Sequence, residues 1–203
     1  MIGLWVFRLR RHEAAGRAFA LFCAAVALAV GTLFDLYTTH YFTRLWSAAV
    51  PVAGGALLTL SMVFPQETEL VQRRPLLRWL GLVPALALTL AAQTALFNFD
   101  QPIAYAGAWR NSYVFTGLCA LIYLGVTVYR RFASESPIVR EQNRIILLGS
   151  LVSFAPVGFW LLSTVFPRAI AFHPLLFLPT MVLFPLAVSY AILRYRLLDA
   201  DFV

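Results

Sequence analysis

Long apolar runs separated by short polar connections dominate the chain. None of the runs alternates apolar and polar positions as a half-buried strand would. Each approaches or exceeds the ~18–20 residues that a helix needs to cross a bilayer. The pattern predicts six full spans, roughly Arg17–Phe34, Leu45–Phe64, Leu77–Phe97, Ser112–Tyr129, Ile145–Phe166 and Pro174–Leu193. A shorter apolar stretch, residues 2–7, runs directly into Arg8-Leu9-Arg10-Arg11. Six residues of helix rise only about 9 Å against a hydrocarbon core of ~30 Å. The stretch reads as the last third of a span, or as an interfacial anchor with Trp5 at the headgroups. In lipid only helices and closed barrels satisfy their own backbone polar groups. The expected fold is therefore all-α: a polytopic membrane helix bundle of six full transmembrane helices plus a partial N-terminal one.

Small residues recur four apart inside the spans: Ala27 and Gly31, Gly81 and Ala85, Gly149 and Ser153. Such pairs allow close backbone approach between helices, but they also arise by chance in Ala- and Gly-rich spans. The second span carries Pro51 and the Gly54-Gly55 pair, the fifth carries Pro156, and the sixth carries Pro179 and Pro185. Prolines there predict kinks, which serve either as hinges or as ordinary packing features.

Composition agrees with a membrane protein and excludes a water-soluble one. Of 203 residues 61% are apolar and only 12% charged, with a mean hydropathy of +0.79. A soluble domain is closer to 25% charged. The net charge of +7 comes from sixteen arginines and no lysine. Counted from the N-terminus, the connections and the tail hold 4, 1, 3, 1, 4, 1 and 2 arginines. A missed or invented span would break this alternation. By the positive-inside rule the rich connections and the C-terminus are cytoplasmic, so the excess is topology signal rather than a nucleic-acid footprint. Cys23 and Cys119 lie in different spans and are expected to be small core residues rather than a disulfide.

Candidate chemistry is sparse. No phosphate-binding loop, zinc-protease motif, paired C-x-x-C or nucleophile elbow is present. His12, His40 and His173 are scattered over three connections without metal-spaced partners, so no catalytic, metal or cofactor site is expected. The middles of the spans hold no Asp, Glu, Arg or His, and Gln93 is the most polar buried candidate. Ion-coupled transporters and intramembrane enzymes usually carry such groups. At the arginine-poor end, aromatic and polar residues suit either a ligand mouth or an interfacial aromatic belt. A mouth there would be built on Asp35, Asp100, Trp109 and Arg110. At the other end Arg140 and Arg144, four apart, share a helix face at the start of the fifth span. The last span then leaves through Tyr190, Arg194, Tyr195, Arg196 and Asp199 with helical spacings. A helix continuing through this exit would carry motion out of the membrane, whereas a frayed terminus would carry nothing.

These two segments carry a resemblance. The run Pro137-Ile138-Val139-Arg140-Glu141-Gln142-Asn143-Arg144, with Pro156 in the span that follows, is one of them. The other is Pro185-Leu186-Ala187-Val188-Ser189-Tyr190-Ala191-Ile192-Leu193-Arg194-Tyr195-Arg196-Leu197-Leu198-Asp199. Together they resemble the N-terminal multi-span input region of bacterial sensor histidine kinases, of the kind found in competence kinases. Arg140, Gln142 and Arg144 match the step into the penultimate span. Tyr190, Arg194, Tyr195, Arg196 and Asp199 match the step out of the last. Val63-Phe64-Pro65 with Arg73-Arg74-Pro75 resembles the family's loop after the third helix. The resemblance implies a signal-sensing input module in the bacterial inner membrane, a homodimer, and a cytoplasmic GAF, PAS or kinase module in the same or a partner chain. It implies no catalysis within residues 1–203. Residues 1–193 would form the input bundle, truncated at both ends, and 194–203 the start of a signalling linker. The alternatives are a small permease-like transporter and a membrane anchor or scaffold bundle.

Overall fold

The computed structural model describes residues 2–10, 12–64, 67–98, 100–133, 137–163 and 178–200. In chain order it contains α1 (Ile2–Arg10), α2 (Ala14–Leu36), α3 (Thr43–Val63), α4 (Glu69–Arg73) and a 3-10 turn (Pro75–Trp79). There follow α5 (Leu82–Ala95), α6 (Pro102–Ala133), α7 (Pro137–Ser163), a second 3-10 turn (Leu178–Val182) and α8 (Leu183–Ala200). The described residues contain no strand, so the fold is all-helical.

Four of these stretches are long and apolar enough to cross a membrane: Ala14–Leu36, Thr43–Val63, Pro75–Ala95 and Ile103–Ala133. Two shorter apolar helices, Asn143–Gly158 and Thr180–Ala191, stand where the fifth and sixth spans are expected. The connection between those two, with Arg168 and His173, lies outside the described residues, as do Pro65, Arg11 and Asp201.

Helix boundaries depart from the apolar pattern where proline sets them. The expected third span is a 3-10 turn beginning at Pro75, followed by α5, with Pro84 in the first turn of α5. Pro102 opens α6, which runs 32 residues instead of the expected Ser112–Tyr129. At 1.5 Å per residue that is about 48 Å, well beyond a ~30 Å core. In the last span Pro179 lies in the 3-10 turn and Pro185 in the first turn of α8. Proline costs little at a helix start, where its missing N–H has no intrahelical partner. Pro51 and Pro156 are the prolines inside helices, in α3 and α7.

α3 is the hub. It packs on α2, α5 and α6, while α6 packs on α7, α7 on α8, and the short α1 fills the gap between α8 and α2. The ring closes around aromatic side chains. Phe184 of α8 is fully buried, with ring centroids 4.7 Å from Phe154, 5.3 Å from Phe22, 5.5 Å from Tyr123 and 6.1 Å from Phe19. Those with Phe22 and Tyr123 are edge-to-face, the arrangement that brings a ring edge onto a neighbour's negative face. Val6 of α1 is 2% exposed and joins the same core. α5 instead turns Val83, Leu86 and Leu90 outward.

Small residues decide how close the helices come. A Cβ added to Gly55 would fall 2.9 Å from Ala85 Cβ and nearer still to the Gly81 carbonyl oxygen. One added to Gly54 would fall 2.9 Å from Thr116 Cα. A Cβ added to Gly149 would fall closer still to Ala187 Cβ, and Ser153 donates a 2.9 Å hydrogen bond to the Thr180 carbonyl. Two of the three four-apart pairs are thus contact points. The third is not, since a Cβ on Gly31 would meet nothing within 4 Å. Gly54→Ala and Gly55→Ala are each expected to cost about 1–3 kcal/mol by overpacking, and Gly31→Ala to cost nothing measurable. Thermal melting of the detergent-solubilised chain checks all three.

Candidate functional site

Asp35 sits in the last turn of α2, 8% exposed. Its carboxylate accepts hydrogen bonds from the Thr39 hydroxyl, from Tyr41 N–H at 3.1 Å and from Phe42 N–H at 2.7 Å. Its backbone carbonyl accepts from His40 N–H at 2.9 Å, and His40 takes a positive φ of 59° to close the turn. A short polar side chain beside a turn commonly folds back on the backbone in this way. Asp35 thereby organises the α2–α3 connection and presents α3 to the bundle.

Asp100 is exposed in the α5–α6 connection, where its N–H donates to Asn98 Oδ1 at 3.1 Å. Arg110 is exposed on α6. Trp109 joins a cluster of aromatic side chains. Its ring centroid lies 4.3 Å from that of Tyr113, which lies 5.4 Å from Trp160 of α7 and 6.4 Å from Trp46 of α3. Tyr113 and Trp46 are almost wholly buried. Three helices thus meet through one tyrosine. The four-residue spacing of Trp109 and Tyr113 was the available sequence signal, but nothing in the pattern joined it to Trp46 or Trp160.

Beneath the cluster an apolar cavity of about 70 Å³ is lined by Trp46, Val50, Thr116, Val157 and Trp160. A second, of about 40 Å³, shares Thr116 and Val157 and reaches Phe22 and Phe154. The Thr116 hydroxyl is engaged with the Val50 carbonyl at 3.0 Å and the Ser112 carbonyl at 2.9 Å. Cavities with such apolar walls stay dry. Gln93 of α5 ties this end together, donating to the Arg44 carbonyl at 2.8 Å and to Ser47 Oγ at 3.1 Å.

The arginine-rich end is built differently. Arg130 of α6 donates from Nη1 to the Phe64 carbonyl and from Nη2 to the Met62 carbonyl at 3.5 Å. A cation at carbonyls left open by a helix C-terminus is favourable. Arg140 and Arg144 are exposed on α7, and Arg144 pairs with Glu141 at 3.6 Å. Gln142 and Asn143 belong to the same helix. Asn143 is fully buried, and its amide N and O have no partner among the described residues. Tyr190 is exposed on α8, and the α8 backbone passes through Arg194, Tyr195, Arg196 and Asp199 without a break. Arg130, counted as one more topology arginine, and Asn143, an unmatched position between Gln142 and Arg144, are residues whose structural positions the sequence did not reveal.

Among the described residues no three His, Cys, Asp or Glu side chains converge as a metal set would require. The arrangement couples helices to one another through side-chain and backbone contacts. The family of N-terminal 7TM regions of histidine kinases matches residues 1–200. The chain belongs to this family. No curated protein and no solved structure gives a significant match. The 7TM region of a histidine kinase is a membrane-embedded part that lacks the kinase domain, and its context is a cytoplasmic kinase module.

In this 7TM region Asp35→Ala is expected to lower the melting temperature, because the Thr39 hydroxyl and the Tyr41 and Phe42 N–H groups lose their shared acceptor. It should also open residues 37–42 to proteolysis. Melting and limited proteolysis check this, and an unchanged profile would free Asp35 for a role in binding.

Proposed function

We propose that this chain is a signal-sensing input module of a two-component histidine kinase, and that α8 relays the state of the bundle to a cytoplasmic output module. One observation carries the reading. α8 is a single helix from Leu183 to Ala200 whose buried stripe, Phe184, Val188 and Ala191, is locked into the aromatic core. The same rod continues through Arg194, Tyr195, Arg196 and Asp199. Whatever moves the core moves the exit.

The pairing of α7 with α8 supports the same reading. Gly149 meets Ala187, and Ser153 bonds the Thr180 carbonyl, so the two helices run antiparallel. Six residues from Gly149 stands Asn143, and six from Ala187 stands Leu193, at one level along the pair. The Arg140, Gln142 and Arg144 step therefore lies beside the Arg194 to Asp199 step. On this reading six spans are complete and α1 is the end of a seventh. The arginine-rich end and the C-terminus face the cytoplasm of a bacterial inner membrane, and the module works as a homodimer. The stimulus acts at the opposite end, on Asp35, Asp100, Trp109 and Arg110, of which Trp109 reaches the Tyr113 cluster.

A helical-phase experiment tests the relay. One to seven alanines are inserted between Ala200 and a fused cytoplasmic reporter kinase. Each residue turns the output by about 100°. Reporter activity is expected to oscillate with insertion length and to recover at seven residues, where the phase error is only about 20°. Activity that is flat or falls monotonically would overturn the relay and leave α8 as a tether.

A further inference from the structure

A further recess lies outside both regions described so far. α2 and α5 flank α3 and leave a groove of about 480 Å³ between them at the arginine-rich end. One wall is the α2 face of Ala14, Arg17, Ala18 and Leu21. That wall runs about 10 Å along the helix axis. The other wall is the 3-10 turn with Leu76, Arg78 and Trp79, continued by Leu82 of α5, and Thr59 of α3 lies at the back. The lining carries two arginines, of which Arg78 is already paired with Glu67.

Each part of the groove suits one end of an amphiphile. Arg17 is exposed at the rim. Arg78 is held by Glu67 at 3.0 Å and 3.1 Å, both bonds from Nη2, which leaves Nη1 outside that pair. Its backbone carbonyl accepts from the Thr59 hydroxyl at 3.1 Å, which fixes the turn against α3. Trp79 is 61% exposed and Leu76 is 81% exposed, an indole and an alkyl chain facing outward beside the cations. Below them Ala18, Leu21 and Leu82 make an apolar floor. A tryptophan beside arginines at the end of an apolar groove marks the headgroup level of a membrane. Basic pockets between transmembrane helices hold anionic headgroups.

We propose that this groove binds a single anionic phospholipid, with its phosphate between Arg17 and Arg78 and an acyl chain along Leu21 and Leu82. An arginine serving topology alone touches many lipids in passing. A walled groove with two cations retains one. The site depends neither on the stimulus nor on the direction in which the bundle crosses the membrane.

Native mass spectrometry of the full chain, extracted from vesicles of mixed phosphatidylglycerol and phosphatidylcholine, tests this. One retained phosphatidylglycerol is expected. Arg17→Gln should cut its retention about fivefold, the share of one arginine near anionic lipid. Arg131→Gln, at the same end but outside the groove, should leave retention intact. Equal retention of the two lipids, or equal loss in the two variants, overturns the site. Displacement of the lipid by free glycerol phosphate also overturns it, because the recess would then be a soluble-anion site. A second readout needs no arginine variant. Phosphatidylglycerol with brominated chains should quench tryptophan fluorescence more than its phosphatidylcholine counterpart, and Trp79→Phe should abolish the difference. A difference that persists in Trp79→Phe rejects the placement.

Discussion

α3 can be surrounded because part of its surface is backbone. Gly54 and Gly55 let α6 and α5 approach so closely that a methyl group at either position would collide. Apolar burial drives little association between helices in lipid, because hydrocarbon is already apolar. Close van der Waals contact and interhelical hydrogen bonds carry the packing instead. Both concentrate on α3: the glycine contacts, the Thr116 bond to the Val50 carbonyl, the Gln93 bond to the Arg44 carbonyl, and Arg130 on the carbonyls at its C-terminus. With α3 fixed, the positions of α2, α5 and α6 follow, and α7, α8 and α1 close the ring around Phe184.

The all-helical fold was legible because apolar run length is a direct consequence of bilayer thickness. Boundaries were less so. Hydropathy sees only where a run is greasy, and α6 extends ten residues before Ser112 through Ala- and Gly-rich sequence that is helical without being strongly apolar. The prolines of the last span were read as kinks because periodicity does not show where a helix begins, and two of them begin it. Gly81 with Ala85 and Gly149 with Ser153 were legible as contact candidates. Ala27 with Gly31 looked identical in sequence and proved open, because which face of a helix meets a neighbour is a property of the neighbour.

At the candidate site the sequence picked residue types well and partners poorly. Asp35 stood out as a charge at a span end, but the groups that engage its carboxylate are backbone N–H groups of the next loop, which every residue possesses and no pattern marks. Arg130 has the same invisibility, since its acceptors are carbonyls 66 and 68 residues earlier. Trp109 was marked by its own bulk. Its reach to α3 and α7 runs through Tyr113, whose burial depends on three helices meeting at one depth.

The contact between α7 and α8 constrains the kind of motion α8 can make. Where Gly149 meets Ala187 there is no side-chain knob to lock one helix in the other, so the pair is held by proximity at that point. Toward the arginine-poor end the pair is pinned by the Ser153 hydroxyl on the Thr180 carbonyl and by the rings around Phe184. Toward the exit it has Asn143, buried with neither amide atom satisfied among the described residues. A rod pinned near one end pivots about that pin more readily than it slides past it. On the proposed relay, the signal leaving through Arg194 is therefore a swing or rotation about the Ser153 contact rather than a piston stroke, which is the motion that an insertion series reads as oscillation.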